Sequence, residues 1–151
     1  MNTPQLGIKK NLKKILLVED NPGDIRLTQE VLEETKLDVD LFVVSDSEDV
    51  MDFLLGQGSY SESVIPDIIL LDLNMPKKTG HEVLIEIKSN ENLKRIPVII
   101  LSTSNATYDV KKAYNSNANA YMVKPLDFDD YLNSFQSLYD FWLKTAIINN
   151  N

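Results

Sequence analysis

The chain of 151 residues contains no cysteine. That excludes a disulfide framework, a thiolate nucleophile and Cys-ligated zinc. Histidine occurs once, at His81, so a two-histidine metal site is excluded too. No apolar run approaches the roughly 20 residues needed to cross a bilayer, and the first residues lack the apolar core of a signal peptide. The expectation is a cytoplasmic domain that does not engage a membrane. Basic residues are outnumbered, 15 Lys and Arg against 23 Asp and Glu, for a net charge of −8. A nucleic-acid partner, which requires a concentrated basic face, is not expected. Lys9, Lys10, Lys13 and Lys14 form the only basic cluster, read as a solvated tail beside the first strand.

What the chain does have is a regular alternation of buried strands and amphipathic helices. Residues 68–71 are an unbroken Ile-Ile-Leu-Leu run, the pattern of a strand covered on both faces. Similar runs occur at 14–19, 39–44, 96–101 and 118–123. Between them the spacing predicts helices. The first opens at Asn21-Pro22, with Asn at the N-cap and Pro at N1, and runs to about 36. A second, capped by Ser45 or Ser47, carries Val50, Phe53 and Leu54 and stops at Gly56. Thr79-Gly-His-Glu82 fits a capping box opening a third, to about 89. A fourth spans about 106–115, with Ala106, Val110, Ala113 and Tyr114 on one side. Asp127 caps a long last helix, about 127–148. Residues 1–12 read as a loose arm and 149–151 as a polar tail, leaving one domain over 13–148. Five such units imply an α/β doubly wound parallel sheet, a three-layer sandwich in the flavodoxin-like strand order 2-1-3-4-5.

In that order the C-terminal ends of strands one, three, four and five lie side by side, where open α/β sheets bind ligands. They carry Glu19 and Asp20, Asp72, Ser102 with Thr103, and Lys124. Any one of these is commonly a solvated strand end or a helix cap; four successive strand ends argue for a site. Two unit charges about 4 Å apart interact by roughly 4 kcal/mol at an effective dielectric near 20. Three clustered carboxylates therefore take up protons or hold a cation. With oxygen donors alone that cation is hard, and Mg²⁺ fits best because it keeps several waters. An open metal position admits a phosphate, which Lys124 and Ser102 can contact. Asp72 is then the best-placed nucleophile, since carboxylates form aspartyl phosphates.

These residues carry a resemblance. Ile15-Leu-Leu-Val-Glu19-Asp20, Leu70-Leu-Asp72-Leu-Asn-Met-Pro76 with Gly80, Pro97-Val-Ile-Ile-Leu-Ser102 and Tyr121-Met-Val-Lys124-Pro125 follow one another as in the receiver domain of two-component response regulators. The likeness covers roughly 13–140. It implies that Asp72 is the phosphoacceptor, with Lys124 binding the phosphate. It further implies that Asp20, Asp72 and the Asn74 backbone carbonyl bind Mg²⁺, with Glu19 helping through water. Ser102 is then the switch hydroxyl, Tyr121 the aromatic that rotates with it, and the Lys124–Pro125 bond cis. Glu19 stands where the family often has Asp; Asn74 and Thr103 fall at variable positions thought to tune dephosphorylation. Such a domain is not an enzyme beyond its own phosphorylation and dephosphorylation. With His81 the sole histidine, the phosphoryl donor is a partner, a sensor histidine kinase. Residues 19–30, Lys77-Lys78 and the Trp-bearing last helix resemble receivers paired with phytochrome-type histidine kinases, which implies a light-regulated donor.

The resemblance also implies that the face built from the fourth helix, fifth strand and fifth helix changes on phosphorylation, a population shift needing several kcal/mol of differential interaction. With no effector domain expected after the last helix, output is by contact. Aromatic residues crowd that helix, among them Tyr131, Phe135, Tyr139 and Trp142, more than one face holds. A homodimer through this helix is expected, the alternative being a wide helix covering a large core. For Tyr121 the alternative is a plain edge aromatic. A hydrolase of the dehalogenase type would want a carboxylate at position 74, where Asn stands. A flavin or nucleotide binder would want a Gly-rich or hydroxyl-rich first loop in place of Glu-Asp-Asn-Pro. A pseudo-receiver, binding proteins without being phosphorylated, stays open as the alternative function.

Overall fold

The computed structural model describes residues 12–62 and 64–147. The arm up to residue 11, with Lys9 and Lys10, and the tail from 148 lie outside the described residues. Five strands, β1 (Lys13–Val18), β2 (Val39–Val44), β3 (Ile68–Leu71), β4 (Val98–Ser102) and β5 (Ala120–Val123), form one parallel sheet. Their order is β2-β1-β3-β4-β5, as the alternation predicts. Side chains alternate across the pleat. Leu16, Val18, Ile69, Leu71, Val98 and Ile100 face one core, and Ile15, Leu17, Ile68, Leu70, Ile99 and Leu101 face the other. Both faces are therefore dry, which is why the central strands read as continuous apolar runs.

Helices α1 (Pro22–Thr35) and α5 (Phe128–Leu138) cover the second face through Val31, Tyr131, Phe135 and Leu138. Helices α2 (Val50–Leu55) and α3 (Gly80–Ser89) cover the first through Val50, Phe53, Leu54, Val83, Leu84 and Ile87. The capping box at α3 is complete: the Thr79 hydroxyl accepts from the Glu82 amide at 3.2 Å, and the Glu82 carboxylate accepts from the Thr79 amide at 2.9 Å. At α1, Asn21 caps with its side chain, and Lys36 closes the helix in the left-handed region at φ 53°.

Several expectations are corrected. The second helix is capped by neither Ser45 nor Ser47. Asp46 accepts from the Glu48 amide, a 3-10 turn Ser47–Asp49 precedes α2, and the buried Ser47 hydroxyl donates to the Pro76 carbonyl at 3.3 Å. A carboxylate is the stronger acceptor for orphan amides. Helix α4 (Thr107–Asn115) buries only Ala113; Tyr114 is exposed because the helix sits at the sheet edge. The Lys124–Pro125 bond is trans, as every described peptide bond is, the isomer that X–Pro bonds intrinsically favour.

The last helix does not run on as α-helix. After Leu138 the backbone widens into a π-helical turn, Tyr139–Thr145, closed by an Ala146 amide to Phe141 carbonyl bond of 2.7 Å. An α-helix would rotate Leu143 well away from Leu138, five residues before it; the wider turn, with its i to i+5 bonds, keeps both on the core face. Both are buried. Tyr131 and Phe135 are core residues, 4% and 2% exposed, so they cannot form the expected interface. Tyr139 and Trp142 pack half-buried against the same core. For Tyr131 and Phe135 a wide helix covering a large core is what the structure holds.

Candidate functional site: an acidic pocket at the strand ends

Each strand end delivers one group, and backbone bonds stitch the ends together. Glu19 follows β1, its amide bonded to the Val44 carbonyl at 3.2 Å. Asp72 follows β3, its amide bonded to the Val18 carbonyl at 3.0 Å. Ser102 ends β4 in register with Val123. The Lys124 amide donates to the Ser102 carbonyl at 2.7 Å, which fixes the lysine beside the serine. Gly80 lies so close under the turn after β3 that a Cβ there would collide with the Asp72 carbonyl and the Leu73 Cα. The structural reason for a glycine here is this close approach of backbone to backbone.

The three acids meet. One ligand oxygen from each of Glu19, Asp20 and Asp72 lies within 4.8 Å of the others. Asp20, Asn21, Pro22, Asp72, Asn74, Thr103 and Lys124 line one open cleft. Asp72 is 5% exposed, and its Oδ1 accepts from the Asn74 amide at 3.1 Å. The Lys124 Nζ sits 3.5 Å from Asp72 Oδ2 and 2.6 Å from Glu19 Oε1. Burial pushes the Glu19 carboxyl up to about 7, aided by the neighbouring Asp72 and opposed by Lys124. Burial lowers the Lys124 ammonium, but its bonds to Asp24 and Glu19 and the Asp72 charge outweigh that and hold it above its ordinary value. The residues fit a hard divalent cation: three convergent carboxylates with oxygen donors only, open on one side, of which Glu19 is driven toward protonation by burial and by Asp72.

Ser102 is 1% exposed, and its Oγ accepts from the Ser104 amide at 3.2 Å. The Tyr121 hydroxyl donates to the Ser104 carbonyl at 2.8 Å. The serine and the tyrosine are thus tied to one loop residue. Ser104 Oγ in turn donates to Asp109 in the first turn of α4, joining the strand end to that helix.

Sequence reasoning missed Asp24. Its Oδ2 accepts from Lys124 Nζ at 2.8 Å. The signal was present: Asn21 as N-cap and Pro22 as N1 put Asp24 in the first turn of α1, directly after the acid pair and at the same sheet edge.

The fold and site together define a doubly wound α/β protein whose strand ends form an acidic pocket able to hold a cation and backed by one lysine. A family profile, the response regulator receiver domain, matches residues 15–136. The chain belongs to this family, whose function is to be phosphorylated by a kinase. Response regulator Rcp1 of Synechocystis is 46% identical over 136 residues, 90% of this chain and 92% of that protein. The structure of the phosphorylated cyanobacterial phytochrome response regulator RcpA superposes with a TM-score of 0.85 at 43% identity, covering 91% of this chain and 99% of that one. The Mn²⁺-bound form of Rcp1 superposes at 0.82 with 46% identity, covering 90% and 98%. Receiver domains bind a divalent metal at this acidic pocket.

Proposed function

We propose that this receiver accepts a phosphoryl group on Asp72 from the phosphohistidine of a phytochrome-type sensor kinase, with Mg²⁺ as the cation. The observation that carries the reading is the placement of Asp72, nearly buried within the acid triad and facing the Lys124 ammonium at 3.5 Å. In the transfer an Asp72 carboxylate oxygen forms the new bond to phosphorus. The phosphorus–nitrogen bond to the donor imidazole breaks, and the imidazole leaves with the electron pair and takes up a proton. Asp20, Asp72 and the Asn74 carbonyl, with Glu19 through water, would hold Mg²⁺, which would supply positive charge to the phosphoryl oxygens. Lys124 meets a further oxygen, and Ser102 donates a hydrogen bond once its hydroxyl turns to the pocket. That movement is the switch: it draws on the loop that holds Tyr121, beside α4. The likeness to the phytochrome response regulator RcpA supports a phytochrome-type donor.

Intact mass after incubation with acetyl phosphate tests the reading. One phosphoryl group is expected with Mg²⁺ and none without it; Asp72→Asn is expected to remove labelling. Full labelling of that variant would move the acceptor elsewhere. No labelling of the wild-type chain by acetyl phosphate or by a kinase would favour the pseudo-receiver.

A further inference from the structure

In a capping box the third residue of the helix turns its carboxylate back to the N-cap amide. Glu82 does so at α3. Asp24, the third residue of α1, does not. The Asn21 amide it would serve is bonded instead to Glu19 Oε2 at 3.2 Å, while Asn21 Oδ1 accepts from the Asp24 amide at 3.1 Å. The Asp24 side chain is left free to reach across to Lys124.

Lys124 has three carboxylate partners: Glu19 at 2.6 Å, Asp24 at 2.8 Å and Asp72 at 3.5 Å. Two of them, Glu19 and Asp72, belong to the triad able to hold a cation; Asp24 does not. A cation in the triad draws the charge of those two carboxylates to itself and weakens their hold on the ammonium. Asp24 then remains to orient it. The backbone of Asp24 is braced independently of its side chain. Its carbonyl accepts from Thr28 Oγ at 3.0 Å, and that hydroxyl shares a 2.7 Å hydrogen bond with the buried Tyr131 hydroxyl on α5. The Asp24 side chain is 34% exposed, so replacing it need not disturb the core.

The geometry points to Asp24 as the positioning residue that holds the Lys124 ammonium over Asp72 during phosphoryl transfer. This rests on the reading of Asp72 as the acceptor. With acetyl phosphate the new bond joins an Asp72 oxygen to phosphorus, and acetate leaves with the electrons of the broken phosphorus–oxygen bond. Asp24 touches neither group; it acts through Lys124.

The test is the single-turnover rate of labelling of the full chain at saturating Mg²⁺, as a function of acetyl phosphate. Asp24→Ala and Asp24→Asn are expected to lower the maximal rate about tenfold, the size of one lost charge-assisted hydrogen bond. Mg²⁺ affinity and the unfolding midpoint should stay near wild type, and Asp24→Glu should recover part of the rate. In a Lys124→Gln background, Asp24→Ala should have no further effect. Wild-type rates in Asp24→Asn, or an undiminished tenfold loss in the Lys124→Gln background, would overturn the proposal while leaving Asp72 as acceptor. Absence of labelling in the wild-type chain would bring down both.

Discussion

At the scale of single residues, Glu19 anchors the resting pocket and is also expected to serve a bound cation. It is 1% exposed, and its two oxygens are bonded to Lys124 and to the Asn21 amide. Burial drives its carboxyl up to about 7. A cation in the pocket requires the ionised form, so proton and cation compete. Above about pH 7 the ionised carboxylate is the main form, and the affinity for Mg²⁺ is expected to level off. As pH falls below 7 a proton must leave before the cation enters, and affinity declines by up to about tenfold per unit for a single proton released. Calorimetric titration of Mg²⁺ at pH 6, 7 and 8 checks this. Glu19→Gln is expected to bind more weakly at pH 8 and to lose the slope between 6 and 8. Equal affinities of the wild-type chain at pH 6 and 8 would refute the assignment.

At the scale of elements, what the sequence makes legible is what burial writes directly into residue type. The Ile-Ile-Leu-Leu run of β3, the Thr79–Glu82 capping box and the Asn21-Pro22 start of α1 are local signals with one physical meaning each, and all three are found as read. The pocket is legible for the same reason: strand order follows from alternation, and strand order brings Glu19, Asp20, Asp72, Ser102 and Lys124 to one edge. Long-range geometry is where local signals end. An aromatic-rich helix looks the same whether its rings meet a sheet or a partner; Tyr131 and Phe135 meet the sheet. Lys88, with nothing in its sequence context to mark it, is another such case. From the last turn of α3 its ammonium donates to the Lys94 carbonyl at 3.1 Å, the Ile96 carbonyl at 2.8 Å and Asn119 Oδ1 at 2.9 Å. Asn119 Oδ1 also accepts from the Val98 amide at 2.9 Å. One lysine thus joins the end of α3, the connection into β4 and the entry to β5. Lys88→Met keeps the aliphatic stem and removes the donor. It is expected to cost about 1–3 kcal/mol in urea unfolding, because the acceptors lose their partner in a half-buried site. A change within 0.5 kcal/mol, as for a roughly neutral surface substitution, would show that water replaces the lysine freely.

At the scale of the whole molecule, several of the exposed apolar side chains lie on α4, on β5 and in the segments that follow it. Tyr108 on α4, Val123 on β5, Leu126 in the turn after it and Phe141 in the π-helical turn are 71%, 45%, 100% and 56% exposed. β5 itself pairs only with β4 among the described residues. The same region receives the hydrogen-bond chain from the pocket, through Ser104 to Tyr121 and Asp109. A phosphoryl group that drew Ser102 inward would pull on that loop and so couple α4 and β5 to the site. We therefore expect phosphorylation to promote self-association here, with Phe141, packed edge-on against Trp142 at 5.4 Å, as a principal contact. Size-exclusion chromatography with and without acetyl phosphate and Mg²⁺ should move the wild-type chain from monomer toward dimer. Phe141→Ser, at an exposed position, should be labelled normally yet dimerise at least about tenfold more weakly, as loss of an aromatic interface anchor does. Unchanged elution of the labelled wild-type chain would place the output in contact with a different protein. Undiminished dimerisation of Phe141→Ser would move the contact from the π-helical turn toward Tyr108 and Leu126.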